Sequence, residues 1–404
     1  MKVNVACGTA VLLSTFAYAS PMLSGKALAD RDDGHGDKKI YVHSNQRIQA
    51  AIDTAPKGAK IYIDDGIYQE QLTISTDGIS LIANGKNVQI TVPDNKVTNV
   101  CTGLAGPDTH AGICIQGTNV QLITPFVSEH LKVTSVGKTV NDVSVTGITV
   151  TGFNGANIAV YGGRNTHISG NTLVNGANYG FLSAGSYNTV AENNAISAKE
   201  IFLGFIAMCM DNFSGAEATK NRLSDYVIGF CVQTNKYEIS YNDATNNCIG
   251  AFIDPYIKGT RLRNNHFGPT NPICLQPFGP GVQFQFPQFG ILVDGASDSE
   301  IRDNIIEGQK IGGTVPVDLK DYRDQVVSFN MKPGAAAGGL FLYQDDAKTP
   351  PAIAAGNVVK NNKFVGNDVD IVVYSTGAGN KVKGNECKTS SPGDLCGKGG
   401  QEGD

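Results

Sequence analysis

The chain has 404 residues, 48 of them Gly, with 41% hydrophobic and 17% charged positions and no Trp. That length and apolar content allow an extensive buried core and argue against a disordered polymer. The formal net charge is -5, and no run of Lys and Arg interrupts the sequence, which argues against a nucleic-acid binder because phosphate neutralisation needs clustered cations.

Met1 to Ser20 reads as a secretory signal. Lys2 is the lone early charge, Val5 to Ala19 is apolar and small, and Ala17-Tyr18-Ala19 supplies a small-x-small cleavage site, with Ala27-Leu28-Ala29 as a second. The alternative, an N-terminal anchor, meets the objection that the apolar run falls short of the ~20 residues a membrane span needs. No later segment is long and apolar enough, so the protein is expected to be secreted and not membrane-bound.

Export changes how the cysteines are read, because oxidising compartments favour disulfides. Cys7 leaves with the signal, and eight remain. Cys101 with Cys114 and Cys387 with Cys396 form short loops, Cys248 with Cys274 pins an inserted segment, and Cys209 and Cys231 are left over. A zinc site lacks the C-x-x-C or H-x-x-x-H spacing it would need. No cofactor motif is found.

One pattern recurs: an apolar or small residue, Asn three positions later, then another apolar or small residue. It occurs at Asn171, Asn193, Asn221, Asn242, Asn265, Asn304, Asn362 and Asn385, with separations of 22, 28, 21, 23, 39, 58 and 23. Such periods with β-type alternation mean a solenoid whose coils bury their apolar faces only by stacking. Asn suits the coil corner because it tolerates the left-handed turn and its amide can bond to the next Asn.

A second series interleaves with the first. It runs Asn157-Ile-Ala-Val-Tyr161, Gly180-Phe-Leu-Ser-Ala184, Gly204-Phe-Ile-Ala-Met208 and Gly229-Phe-Cys-Val-Gln233. It continues with Gly250-Ala-Phe-Ile-Asp254, Gly290-Ile-Leu-Val-Asp294, Gly339-Leu-Phe-Leu-Tyr343 and Asp370-Ile-Val-Val-Tyr374. This pairing of a G-I-x-V strand with an I-x-x-N-x-I corner resembles the right-handed parallel β-helix of the pectin-lyase-like superfamily. Ile48-Gln-Ala-Ala-Ile52 resembles the capping helix of such proteins, and Ala59-Lys-Ile-Tyr-Ile63 with Gly66-Ile-Tyr-Gln-Glu70 their first coil. The expected fold is all-β, a single parallel β-helix solenoid with an N-terminal cap helix near Ile48 to Thr54 and two long loop insertions. The expected division is a signal peptide at 1-19, a polar segment at 20-39, the β-helix at 40-388 and a flexible tail at 389-404.

The resemblance implies that the G-I-x-V strands floor a substrate groove. Alternation then points the second and fourth positions after each leading residue outward. The second column reads Ala159, Leu182, Ile206, Cys231, Phe252, Leu292, Phe341 and Val372. The fourth reads Tyr161, Ala184, Met208, Gln233, Asp254, Asp294, Tyr343 and Tyr374. That floor is apolar for an enzyme of polyuronates, which are charged chains. The polygalacturonase set is not assembled: N-T-D and R-I-K are absent, and the one G-H-G, Gly34-His35-Gly36, precedes the cap. The pectin methylesterase motifs are absent, as is the D-P-H-E of alginate epimerases; Asp254-Pro255-Tyr256 shares only two letters with the last.

Both stretched Asn separations hold inserts on the floor side, Gly268 to Gln288 with Phe278, Phe284 and Phe286, and Glu307 to Gly338 with Lys310 and Lys320 to Asp324. Long loops on a rigid scaffold concentrate binding groups. One reading is a pocket for an apolar small molecule; another is a second core sealed by the loops; a third is a protein-binding surface. The site expected under the first has Asp254, Asp294 and Tyr343 as catalytic groups. Tyr161, Met208, Gln233, Phe252, Tyr256, Leu292, Phe341 and Tyr374 are its substrate-binding groups, and no metal is expected. Asp254 and Asp294 fall one coil apart, so one can act as acid and the other as base; solvated turn-side acids are the alternative.

The expected function is a secreted enzyme acting on a largely apolar small molecule, such as a cyclase or hetero-Diels-Alder catalyst, because such reactions gain from near-attack geometry. The alternatives are a polysaccharide lyase, hydrolase or epimerase of uronate type, and a non-catalytic binding protein. The expected partner is thus a small molecule or a polysaccharide, with the protein a monomer. Asn212-Phe213-Ser214 is a glycosylation sequon.

Overall fold

The computed structural model describes residues 38–124, 126, 129–199, 204–275, 288–310 and 337–396. The expected signal and nearly all of the expected polar segment fall outside these, as do Phe278, Phe284, Phe286, Lys320 to Asp324 and the last eight positions. The described chain is a right-handed parallel β-helix. Three sheets of fourteen, ten and eleven strands run its length, each strand hydrogen-bonded in parallel to its counterpart one coil away. A single antiparallel hairpin, Thr118–Leu122 with Val133–Lys138, interrupts the winding.

Alternation builds the interior. In the eleven-stranded sheet Ile113, Ile158, Phe181, Met208, Phe230, Ala251, Ile291, Leu340 and Ile371 pair in one register, and all belong to the central core. Like residues stack on like at the roughly 4.8 Å strand spacing. The leading glycines follow from the same stacking. A Cβ on Gly250 would stand 2.5 Å from the carbonyl oxygen of Gly290, and one on Gly290 2.6 Å from that of Gly339.

The helix Ile48–Thr54 closes the N-terminal end with Ile48, Ala51 and Ile52 buried. Its flanking residue Arg47 provides no side-chain cap. Glu70, on the first coil, supplies it instead: its carboxylate accepts from the amides of Ile48 at 2.8 Å and Gln49 at 3.1 Å. Two amide donors of the first turn are met by a negative charge where the helix dipole favours one. Glu70→Ala is therefore expected to cost about 2 kcal/mol, read from chemical unfolding, with Glu70→Gln recovering part of it.

The corner ladder contains Asn171, Asn194, Asn221, Asn242, Asn265, Asn304, Asn362 and Asn385. Each Asn before Asn385 donates both its backbone N–H and its side-chain amide to the Oδ1 of the next, at 2.8 to 3.1 Å. One expectation is corrected. Asn193 is exposed at a left-handed φ of 54°, and its neighbour Asn194 holds the ladder position because Ala191 pairs with Ile168.

Four disulfides are present: the expected pairs Cys101–Cys114, Cys248–Cys274 and Cys387–Cys396, and Cys209–Cys231, which joins the two cysteines left over. Asn212 of the sequon is buried. Its amide donates to Thr189 Oγ1 and to the Gly215 carbonyl, both at 3.0 Å, so the folded chain offers no accessible glycan acceptor there.

Candidate active site

The outer face of the eleven-stranded sheet carries a second apolar cluster. Leu182, Cys209, Cys231, Phe252, Leu292, Phe341 and Val372 are buried in it together with Leu104, Cys248, Cys274 and Val369. Phe252, Leu292 and Phe341 therefore lie in a packed layer, Phe341 with its ring 4.4 Å from that of Phe289.

One floor strand is displaced from its expected register. The strand is Ile206–Asp211, with Met208 opposite Phe181 and Cys209 opposite Leu182. Ala207, not Gly204, stands level with Gly180. A slip of three residues exchanges the two faces, so Met208 points into the core, where it accepts a 3.5 Å hydrogen bond from Tyr237. Met208 is thus not a substrate-binding residue, and Asp211 takes the outward fourth position beside Ala184. The column becomes Tyr161, Ala184, Asp211, Gln233, Asp254, Asp294, Tyr343 and Tyr374.

Residues Glu129 to Lys132, just before the hairpin's second strand, fold over this column. His130 is fully buried and bonds through Nδ1 to the Tyr179 hydroxyl and through Nε2 to Asp211 Oδ2, both at 3.0 Å. Burial holds His130 below the ordinary histidine range, so the ring is neutral at pH 7. Burial works against ionisation of Asp211, but the hydrogen bond from His130 and the charge of Lys132 outweigh it and hold the carboxyl low. Asp211 is therefore the acceptor: Nε2–H donates to it, and Nδ1 receives the Tyr179 proton.

Gln233 joins this group to the next coil. Its Nε2 donates to Glu129 Oε2 and Asp254 Oδ2, each at 2.6 Å, and its Oε1 accepts from Lys132 Nζ at 2.5 Å. Lys132 also lies 3.3 Å from Asp211. Tyr161 is sealed beneath, donating to the Leu131 carbonyl at 3.2 Å.

Asp254 and Asp294 occupy successive coils, following the paired Ile253 and Val293. Burial, with the nearby charge of Glu129, pushes Asp254 well above the carboxylate range. Burial, with Asp345 behind it, raises Asp294 to about 7. Oδ1 of each is buried without a hydrogen-bond partner. Two carboxyls on neighbouring coils thus hold their protons above the ordinary carboxylate range, Asp254 through burial and Glu129 with a smaller contribution from Asp294.

Tyr343 and Tyr374 continue the column with ring centres 5.7 Å apart. Burial and Asp345 raise the Tyr343 hydroxyl above the ordinary tyrosine range, so it is protonated at neutral pH. Tyr256 stands apart, 48% exposed at a turn, where its hydroxyl donates to the Pro350 carbonyl. Lys310 is exposed at the edge of the described residues.

The raised Asp294 has a consequence for stability. Below pH 3.8 the group is protonated in both states; above it the unfolded chain loses the proton first. Its contribution is complete at low pH and disappears as pH rises through about 7. Asp294→Asn should therefore raise the melting temperature at pH 8, by the equivalent of about 2 to 4 kcal/mol, and leave it unchanged at pH 4.

Among the described residues no group of three or more His, Cys, Asp and Glu is arranged to hold a metal ion, and no helix is long and apolar enough to cross a membrane.

The stacked parallel sheets, the Asn ladder and the cap helix define a right-handed parallel β-helix fold. Residues 206–387 match the family described as right handed beta helix region. The A-module of the mannuronan C-5 epimerase AlgE6 of Azotobacter vinelandii is similar over 85% of this chain and 92% of its own, at 13% identity and a TM-score of 0.50. The Dettilon tailspike protein is similar over 87% of this chain and 68% of its own, at 12% identity and a TM-score of 0.50. A DFA-IIIase from Arthrobacter chlorophenolicus is similar over 80% and 83%, at 13% identity and a TM-score of 0.49. No curated protein matches the sequence.

Proposed function

We propose that this chain is an exported carbohydrate-active enzyme that works on a polysaccharide at the outer face of the eleven-stranded sheet. Asp254 is its proton donor and Asp294 its base. The observation that carries the reading is the pair of carboxyls on neighbouring coils whose affinities for their protons are both raised. Cleavage of a sugar–oxygen bond needs a neutral acid to protonate the leaving oxygen and a carboxylate to remove a proton from water or from a sugar carbon. At the pH where Asp294 is ionised and Asp254 is neutral, both requirements are met on neighbouring coils.

The surroundings support these roles. Gln233 fixes Asp254 Oδ2, which leaves Oδ1 to carry the proton. Lys132, bound to Gln233 and Asp211, is the cation that balances this acidic row. Tyr374, part-exposed and stacked beyond the buried Tyr343, offers an amphipathic ring surface that suits the apolar face of a sugar.

The polysaccharide reading is favoured over cyclisation of an apolar molecule for a specific reason. The apolar positions that such a ligand needs, Phe252, Leu292 and Phe341, are committed to the second cluster, while the half-buried groups of the fourth column are polar. The likeness in fold to a mannuronan epimerase module agrees with this. Export agrees with four disulfides, which oxidising compartments preserve.

The test is incubation with neutral and uronate polysaccharides, reading new reducing ends, unsaturated ends and epimerised units by mass spectrometry and NMR. A product from at least one glycan, lost in Asp254→Asn, is expected. If every glycan is untouched and an apolar polyketide or terpenoid mixture is converted, the reading is wrong and cyclisation returns.

A further inference from the structure

A second surface lies on the fourteen-stranded sheet, away from the carboxyl row. Its strands Arg261–Arg263, Glu300–Arg302, Val358–Lys360 and Lys381–Lys383 pair in register. The middle residues Leu262, Ile301 and Val359 are buried in the core, so the flanking residues face outward. The third position of these strands reads Arg263, Arg302, Lys360 and Lys383 on four successive coils. On the coils before them the same column carries no cation, reading Thr146, Ser169, Glu192, Thr219 and Ser240, and its hydroxyls bond one another at 3.1 and 3.3 Å.

Four cations at the ~4.8 Å strand spacing repel one another, and like charges directly across a sheet are destabilising. The compensation within the chain is partial. Glu300 serves three of the four: it binds Arg263, lies 3.2 Å from Arg302 Nε and 3.3 Å from Lys360 Nζ. Asp303 takes Arg302 as well, at 2.7 Å. Lys383 and its exposed neighbour Lys381 make no ion pair among the described residues. Six cations, counting Arg261, stand here against Glu238, Glu300 and Asp303, on a chain whose net charge is -5. No run of basic residues announces this in the sequence, because the members are 39, 58 and 23 positions apart and only the winding of the coil brings them together.

We infer that this basic ladder is a docking face for an acidic polysaccharide, lying along the helix axis with one carboxylate per sugar set against successive coils. The argument is charge complementarity with a matching repeat: an extended polyuronate presents single charges at intervals close to the coil spacing. A nucleic acid fits less well. On these four coils the two outward columns contain no aromatic side chain on which bases could stack, and a flat sheet has no element to enter a groove. The inference is independent of the carboxyl row and stands or falls without it.

The experiment is affinity electrophoresis of the full, disulfide-bonded chain through gels containing polygalacturonate, with dextran gels as the neutral reference. Retardation by polygalacturonate alone is expected, weakening as salt is raised because exposed charges are screened. The double variant K360Q/K383Q should bind roughly five- to tenfold more weakly, with an unchanged melting curve. K57Q/K220Q, which removes equal charge elsewhere on the surface, should bind as the wild type does. Absence of retardation, equal losses in the two double variants, or tighter binding to single-stranded DNA or phosphatidylserine vesicles than to polygalacturonate overturns the inference. The readout is binding, so a glycan-inactive protein that is still retarded separates this inference from the proposed catalysis.

Discussion

Replacing Asp254 by Asn is expected to lower turnover on a responsive glycan by roughly 10² to 10⁴, the usual contribution of a positioned general acid. The fold should be retained, since Asn keeps the Gln233 contact and removes only the ionisable proton. The pH profile carries the finer test. The rising limb of kcat/KM should lie near 7, where Asp294 gives up its proton, and activity should fall at higher pH as Asp254 loses its own. Asp294→Asn should lower activity and abolish the rising limb while stabilising the protein at pH 8. A gain in stability together with a loss of activity would be hard to obtain from a merely structural carboxyl. Full activity in both Asn variants would refute the acid–base assignment.

Asn242→Ala is expected to be the most damaging single change in the corner, costing about 3 to 5 kcal/mol in chemical unfolding. The Asn242 amide donates to the carbonyls of Ala218 and Ser240 and to Asn265 Oδ1, and its own Oδ1 accepts the backbone and side-chain amides of Asn221. Truncation leaves buried donors and acceptors unmatched on both neighbouring coils. Asn193→Ala provides the contrast. It loses only the ease with which Asn occupies a left-handed turn, roughly 1 kcal/mol, although Asn193 fits the sequence pattern as well as its neighbour does. Equal effects at the two positions would mean that the ladder is not what holds the coils in register.

The periodic features were legible because a solenoid repeats its requirements. Each coil needs a small residue where backbones crowd, an apolar inward pair and a corner Asn, so the requirement returns every coil. Failures occurred where two residues satisfied one local pattern. Asn193-Asn194 offered the corner twice, and Gly204-Phe-Ile-Ala-Met208 imitated a floor strand three residues early. Spacing alone does not separate the alternatives, because the outward fourth position precedes its ladder Asn by ten residues in Tyr161/Asn171 and Asp294/Asn304 but by nine in Gln233/Asn242 and eleven in Asp254/Asn265 and Tyr374/Asn385. Glu129, His130 and Lys132 could not be found from the repeat. They lie beside a hairpin outside the repeat and meet Asp211 and Gln233 through hydrogen bonds that span 81 to 104 residues of sequence.

The direction of the ladder also sets an order of assembly. Each Asn finds the acceptor for its backbone N–H on the coil that follows it in sequence, whereas its side chain also reaches back to a carbonyl of the coil before, as Asn171 does to Val145 and Asn385 to Val359. A coil emerging from the ribosome can therefore anchor to what has already folded but cannot complete itself until its successor is made. For a coil of 23 residues, such as that between Asn362 and Asn385, the delay is on the order of 1 to 5 s at ordinary synthesis rates. The growing end thus always carries one uncovered corner. A chain cut after any coil would leave that corner open permanently, as a place where a second truncated chain can add itself.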